Sequence, residues 1–269
     1  MINEVVESAP IFLLVAARSA GLVFTLPLFS MRTVSRTAKI AFIGYISYLL
    51  MGFADFSAYS SYIGDDGAFS LMYLLLVLGE GLIGVIIGFY VSIIFAAFST
   101  AAQFFAFQMG FSAASTYDQL SQVENPLLGQ FFNFASVLIF LQIKWFQKIF
   151  LQGLTYTVQN LTVFGMIEHK EKLVSFLLSG LSKLFADAFV IALPIMGTLV
   201  LITVCTGLLS KAAPQMNLLS EGFPIMILLS FGILVAIFPH LLDFFSRSFS
   251  TGISELLNLL LDFGKGGGR

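Results

Sequence analysis

Long apolar runs, separated by shorter polar segments, divide the chain into six blocks that lack the strict alternation of a half-buried strand. The blocks are about Ala9–Met31, Ile40–Phe53, Leu71–Phe107, Leu127–Phe150, Leu173–Leu209 and Phe223–Leu242. We expect the fifth block to be interrupted at Pro194. About 20 apolar residues cross a hydrocarbon core as a helix, and the third block is too long for one upright span. Uninterrupted apolar runs argue against barrel strands. The pattern therefore predicts an all-α, polytopic membrane protein of about six long helices or broken helical hairpins.

The last block continues as an amphipathic stretch to Phe263. Its apolar residues fall along one helical stripe, with Asp243, Arg247 and Glu255 interspersed. The residues of the stripe are Leu241, Leu242, Phe245, Phe249, Leu256 and Leu260. We expect a helix that buries this stripe.

Composition supports a membrane protein and argues against several functional classes. Only 10% of the 269 residues are charged and the mean hydropathy is +0.96, whereas an ordinary globular domain is about 25% charged. Cys205 is the only cysteine, and His169 and His240 have no neighbours at ligand spacing. With no nucleophile elbow or pair of catalytic carboxylates in view, we expect neither enzymatic activity nor a metal or other cofactor. No basic patch suggests nucleic acid.

The charges between the blocks give a partial topology. Arg32, Arg36 and Lys39 fall in the first connection, and three aspartates fall in the second. The positive-inside rule places the first connection in the cytoplasm and the second outside. If successive connections alternated between the cytoplasm and the outside, four further basic residues would fall outside: Lys144, Lys148, Lys170 and Lys172. Either one block does not cross the bilayer, or the helices are not independent spans.

Charged residues inside the apolar blocks require partners, because a charge facing lipid is costly. Arg18 lies mid-way along the first block, where either a buried ion pair (or partner contact) or snorkelling to the interface would accommodate it. Glu80 adjoins a Gly-rich run and is a candidate helix-start carboxylate near the interface. Asp187 follows Lys183 by four residues, which predicts an ion pair along one helix.

The Gly-rich run GLIGVIIG holds Gly81, Gly84 and Gly88 on adjoining positions of one helix face. Small residues at such spacing let two helix backbones approach closely. We therefore predict that Arg18 and these glycines are packing residues between subunits or helices.

Two polar segments between the blocks carry few charges. The first, residues 108–126, reads QMGFSAASTYDQLSQVENP, and the second, residues 211–226, reads KAAPQMNLLSEGFPIM. Pro214 and Pro224 bracket a predicted tight turn in the second, because proline removes a backbone donor. The first fits either an ordinary extramembrane loop or a loop inside a water-filled cavity, where irregular backbone is tolerated at membrane depth.

At these two segments the chain resembles the FliR family of flagellar biosynthesis proteins, from the type III secretion export gate. The matching positions of the first segment are Gln108, Met109, Gly110, Ser112, Asp118, Pro126 and Leu128. Those of the second are Ala213, Pro214, Gln215, Gly222, Phe223 and Pro224. The first block also resembles the family in Arg18, the LPLF at 26–29, and the arginines that follow. Gln119, Val34-Ser35, Gln142-Ile143-Lys144-Trp145 and Glu221 depart from the family pattern.

The resemblance implies a non-enzymatic subunit of a bacterial inner-membrane export channel in the flagellar basal body. The family assembles with FliP and FliQ into a helical cone raised toward the periplasm, adjoins FlhB, and passes unfolded flagellar substrates. It implies one domain over residues 1–269, with a FliP-like portion to about 210 and a FliQ-like hairpin from about 211. Contact with membrane lipid and no contact with nucleic acid are expected.

The resemblance also implies that residues 108–126 form a plug in the channel. Met109, Phe111 and Tyr117 would supply bulky closure, and the small residues from Ser112 to Ser115 would permit movement. Two alternatives remain: the homologous gate of an injectisome, and a secondary transporter built around helices broken at prolines.

Overall fold

The described part of the computed structural model consists of helices joined by short turns and connections. It comprises residues 2–30, 34–62, 70–109, 127–212 and 222–266. The helices are α1 Ile2–Thr25, α2 Pro27–Ser30, α3 Arg36–Met51, α4 Leu71–Gln108, α5 Leu127–Gln142, α6 Trp145–Gln147, α7 Thr155–Asn160, α8 Val163–Glu168, α9 Lys170–Ala212 and α10 Phe223–Gly266. A 3₁₀ helix spans Ser57–Tyr62, and a π-helical segment, Lys148–Leu154, joins α6 to α7. The predicted all-α class is confirmed.

The number of membrane-spanning helices is below the six that the blocks predicted. Four helices among the described residues are long and apolar enough to cross a bilayer, namely α1, α4, α9 and α10. A fifth span exists if the broken pair Leu128–Gln142 and Trp145–Asn160 counts as one. Block two forms only the 16 residues of α3, about 24 Å at 1.5 Å per residue. Block four is divided at Lys144, whose φ of 60° is left-handed.

Local capping explains why α3 is short. The Ser35 hydroxyl accepts a hydrogen bond from the amide of Ala38 at 3.2 Å, which satisfies one of the free donors at the helix start. Gly52 follows the last turn, and its N–H donates to the Leu50 carbonyl. Helix α3 is therefore capped at both ends and contains only 16 residues.

The predicted interruption at Pro194 was wrong. Helix α9 runs continuously through this proline for 43 residues, and α10 runs through Pro239 for 44. A proline removes a single backbone donor from a helix, whereas leaving the helix in an apolar environment would expose several. The hydroxyl of Thr198 donates to the Pro194 carbonyl at 2.7 Å, so that side chain also has its partner on the backbone of the same helix.

Hydroxyl groups in the apolar helices bond mostly to their own backbone. The side chains of Ser47 and Ser230 are buried and donate to carbonyls one turn earlier, at 2.6 and 2.5 Å. Thr25 does the same toward Gly21 at 2.7 Å. Such bonds let a polar side chain sit in a helix that crosses an apolar medium without a second partner.

The residues of the chain group into two compact units. The first is Met1–Ile93, Leu141–Gly180 and Ser250–Arg269, and the second is Ile94–Phe140 and Leu181–Phe249. The long helices α4, α9 and α10 each contribute a segment to both. The division near residue 210 into FliP-like and FliQ-like portions stays a prediction.

Phenylalanine rings form the core of the second unit. Phe95 lies 4.7 Å from Phe249, and Phe105 lies 5.4 Å from Phe132, between ring centroids. The stripe predicted for the last block is buried in α10 except at Leu242, which is half-buried. Asp187 accepts a hydrogen bond from the Ser248 hydroxyl at 2.8 Å, and its ion pair with Lys183 stays a prediction.

Candidate functional site

A buried ion pair lies in the first unit, between α1 and α4. Arg18 and Glu80 are fully buried. The Arg18 Nε donates to Glu80 Oε2 at 2.6 Å, and its Nη2 also contacts that oxygen. The same Nη2 donates to the carbonyl of Leu161 at 2.7 Å. Of the two alternatives for Arg18, the structure shows the buried ion pair. Glu80 lies well inside α4, so the prediction that it starts a helix at the interface was wrong.

Tyr59, in the 3₁₀ helix, completes the network on the other side of the carboxylate. Its hydroxyl donates to Glu80 Oε1 at 2.7 Å and accepts from the Val163 amide at 2.6 Å. Burial, followed by the negative charge of Glu80, raises the pKa of Tyr59, so the phenol stays protonated and remains a donor. We call Arg18, Glu80 and Tyr59 the buried triad.

Aromatic rings enclose the buried triad. Phe56 stacks on Tyr59 at 5.4 Å between ring centroids, and the Arg18 guanidinium carbon lies 6.0 Å from the Phe56 centroid. Phe164 meets Tyr59 edge-on at 5.7 Å. Rings exclude water from the ion pair, and in a low dielectric each of its hydrogen bonds is stronger. The triad thus joins α1, α4, the 3₁₀ helix and the turn before α8.

Glycines bring α1 and α4 close enough for this pairing. A Cβ at Gly84 would fall on the Arg18 carbonyl oxygen, and one at Gly21 would fall on the Gly81 carbonyl oxygen. A Cβ at Gly88 would meet Thr25. Two further hydrogen bonds align the helices, from Tyr73 Oη to the Pro10 carbonyl at 2.8 Å and from Ser92 Oγ to the Thr25 carbonyl at 2.6 Å. All these contacts lie within the chain, and a role for the glycines between subunits stays a prediction.

Most of the predicted plug lies outside the described residues. Gln108 is the last residue of α4, and Met109 is buried, with its amide donating to the Phe105 carbonyl at 2.9 Å. The plug residues outside the described ranges are Gly110, Phe111, Ser112, Tyr117, Asp118 and Pro126. Their role as a plug stays a prediction.

The predicted turn before the last block is described only at its end. Gly222 precedes α10, Phe223 begins that helix and Pro224 lies in its first turn, where a missing N–H costs little. Pro214 and Gln215 lie outside the described ranges.

Sequence reasoning missed Tyr59 and the backbone of residues 161–163. Tyr59 lies in a polar connection and is 104 residues from Val163. No local pattern marks such a pairing, because the residues meet only through packing. The single available signal is the pair of buried charges, which implies that other polar groups must lie nearby.

The phenol of Tyr59 can be tested alone. Replacing Tyr59 with phenylalanine keeps the stacked ring but leaves Glu80 Oε1 and the Val163 amide short of a partner. We expect a loss of about 1–3 kcal/mol in the free energy of unfolding, measured by thermal unfolding in detergent micelles. Tyr48→Phe is the matched control, because Tyr48 is exposed and its replacement should change stability little. Equal melting of both variants would contradict this role of Tyr59.

These features define a polytopic helical membrane protein whose first unit contains a buried, hydrogen-bonded ion pair. The model of the family described as "Bacterial export proteins, family 1" matches residues 9–252. The chain belongs to this family.

Individual relatives agree with that assignment. The chain is 28% identical over 262 residues to the flagellar biosynthetic protein FliR of Bacillus subtilis, covering 96% of this chain and 97% of that protein. It is 31% identical over 196 residues to FliR of Borreliella burgdorferi, covering 72% and 73%. It is also 30% identical over 151 residues to the surface presentation of antigens protein SpaR of Shigella sonnei, covering 56% and 57%. The resemblance to the FliR family that the motifs indicated is confirmed.

Proposed function

We propose that the protein is a channel subunit of a flagellar type III export gate, assembled with FliP and FliQ next to FlhB in the inner membrane. The observation that carries this proposal is the collinear similarity to a flagellar biosynthetic FliR over nearly the full length of both chains. The subunit acts without catalysis, by shaping and closing a path for unfolded substrates.

Helix length and exposure support an assembly of several subunits. Helices α9 and α10 would each be about 65 Å long, roughly twice the thickness of a hydrocarbon core. Only 28% of the apolar window of α9 and 17% of that of α10 are buried within this chain. Surfaces of this extent on helices longer than a bilayer fit contact with neighbouring helices better than contact with lipid alone.

The segment between α4 and α5 is our candidate for the plug. It joins two apolar helices with 17 residues, 110–126, that include only two side chains charged at neutral pH, Asp118 and Glu124. A segment with so little charge is suited to a semi-buried, wet channel. In the closed gate, Met109, Phe111 and Tyr117 obstruct the path, and the segment moves aside for a substrate.

Deleting residues 110–122 should increase ion leak through the assembled gate. The measurement is conductance of the co-purified complex in planar bilayers, with the wild-type complex as reference. A second deletion, of residues 267–269, is the control and should leave conductance unchanged. Co-purification of FliP and FliQ with both variants would show that assembly is intact. Unchanged conductance in an intact complex with residues 110–122 deleted would rule out the plug.

A second candidate is an export gate of the injectisome kind, because one relative is named for surface presentation of antigens. Loss of the gene distinguishes the candidates. The flagellar proposal expects cells without filaments, restored by the wild-type gene. Normal filaments together with loss of another secreted set of proteins would favour the second candidate.

A further inference from the structure

Basic residues from two distant parts of the sequence lie around one phenylalanine cluster in the first unit. The cluster consists of Phe29, Phe42, Phe146 and Phe150. Phe42 lies 5.3 Å from Phe29, 6.1 Å from Phe146 and 5.2 Å from Phe150 between ring centroids. The start of α3 is therefore held against α6 and the π-helical segment.

Four basic residues lie within six positions of a cluster residue in the sequence, and we call them the basic rim: Arg36, Lys39, Lys144 and Lys148. Lys39 precedes Phe42 by three residues, and Arg36 precedes it by six, about 9 Å along the helix. Lys144 and Lys148 lie on either side of Phe146. Arg36, Lys144 and Lys148 are exposed and Lys39 is half-buried.

Aromatic and apolar surface adjoins the basic rim. The Lys148 ammonium lies 4.2 Å from the ring centroid of Trp145. Beyond the rim, Tyr45 and Tyr48 of α3 are 63% and 68% exposed, and Leu151 is 61% exposed. This is the pattern of a helix end at a bilayer surface, where lysine and arginine lie at the headgroup level, aromatic residues lie beside them and apolar side chains lie beyond.

The two sequence segments that carry the basic rim, residues 29–54 and 141–167, contain no acidic residue. Helix α10 also lies beside Lys148, and its Glu255 accepts a hydrogen bond from the Tyr90 hydroxyl at 3.3 Å. The chain is also broken here, since Lys144 adopts a left-handed backbone conformation between α5 and α6. A helix break in contact with hydrocarbon would leave backbone groups unsatisfied, whereas headgroups and their water supply partners. Both observations favour an anionic, hydrated surface over the bilayer interior.

We propose that the basic rim binds the phosphate headgroups of anionic phospholipids and sets the level of the first unit at one membrane surface. The inference rests on the geometry of that unit and on its membrane location, and it stands whether or not the proposed function holds. It would also account for the lysines that break the alternation of loops between the two sides of the membrane, because the phenylalanine cluster brings the segment with Lys144 and Lys148 against α3, which carries Arg36 and Lys39.

Trp145 is the only tryptophan of the chain. Its ring is largely buried but lies 4.2 Å from the Lys148 ammonium, so a lipid bound at Lys148 would bring its bromine close enough to quench it. We would reconstitute the full chain into vesicles of phosphatidylcholine with increasing phosphatidylglycerol, each lipid being brominated in turn close to its headgroup. Phosphatidylglycerol should quench Trp145 fluorescence at a lower mole fraction than phosphatidylcholine does. Lys144→Gln and Lys148→Gln should each weaken this preference about fivefold, and the double variant about 25-fold.

Two control variants separate local charge from fold. Lys170→Gln with Lys172→Gln removes two exposed charges at the start of α9, and it should keep the preference. Lys144→Arg with Lys148→Arg should keep it as well, because the charge remains.

Three results would overturn the proposal. One is equal quenching by both lipids in the wild type. Another is a loss of the preference for phosphatidylglycerol in Lys170→Gln with Lys172→Gln that equals the loss in Lys144→Gln with Lys148→Gln. The third is shielding of Trp145 from brominated lipid in the complex assembled with FliP and FliQ, which would assign the basic rim to a contact with a partner protein.

Discussion

Replacing Glu80 with alanine should lower the free energy of unfolding by about 3–5 kcal/mol, because it leaves the buried Arg18 charge without its carboxylate. Arg18 is fully buried, and two of its nitrogens contact Glu80. The Leu161 carbonyl would remain as a partner, but a neutral carbonyl does not balance a buried positive charge. Thermal unfolding of the purified full chain in detergent micelles, followed by circular dichroism, measures the effect.

The controls for this prediction distinguish pairing from a general effect of removing charge. Glu168→Ala removes an exposed carboxylate of α8 and should shift the melting temperature little. Replacing Arg18 and Glu80 together with methionine should recover much of the loss, because a buried ion pair can often be exchanged for apolar residues of similar volume. If the Glu80→Ala and Glu168→Ala proteins had the same melting temperature, the ion pair would contribute nothing to stability.

The second large effect is expected from Gly84→Ala. A methyl group at this position would fall on the Arg18 carbonyl oxygen and close to the Leu22 amide. The two helices would have to separate, which stretches the hydrogen bonds between Arg18 and Glu80. Adding one carbon to such a tightly packed contact costs about 1–3 kcal/mol or more, and the linked ion pair places the expected loss at the upper end.

A matched glycine isolates the steric effect of this substitution. Gly197 lies within α9 and has open space where its Cβ would be. Gly197→Ala should leave the protein unchanged or stabilise it by up to about 1 kcal/mol, because alanine is the better helix former. Opposite signs for the two Gly→Ala substitutions, read from melting temperatures, are the expected outcome. A Gly84→Ala protein as stable as Gly197→Ala would contradict the close approach of α1 and α4.

Helical periodicity predicted the buried face of α10 well. Leu241, Phe245, Phe249, Leu256 and Leu260 all lie in the core, because residues at spacings of three and four share a face whatever the helix contacts. The same pattern counted six spans and overestimated them. An apolar run shows that a segment avoids water, but it does not show where caps such as Ser35 end a helix or where a residue such as Lys144 breaks one.

The candidate site was predictable only in part. Arg18 in an apolar run and the Gly81, Gly84 and Gly88 spacing both marked the region where α1 meets α4. Tyr59 and the Leu161 carbonyl carried no such mark. Tyr59 is 21 residues from Glu80, and Leu161 is 143 residues from Arg18. No local sequence pattern marks contacts between residues so far apart in the chain.

The sequence by itself determined that this is an all-α membrane protein of the export family, and that Arg18 needed a partner. Both follow from local properties: the length of an apolar run, the order of motifs, and the cost of placing a charge in an apolar medium. Only the tertiary structure decided which of the 15 acidic residues is that partner. Glu80 is 62 residues from Arg18, and the two meet because glycines let α1 and α4 touch. The same holds for the basic rim, where the packing of phenylalanines brings the segment with Lys144 and Lys148 against the helix that carries Arg36 and Lys39.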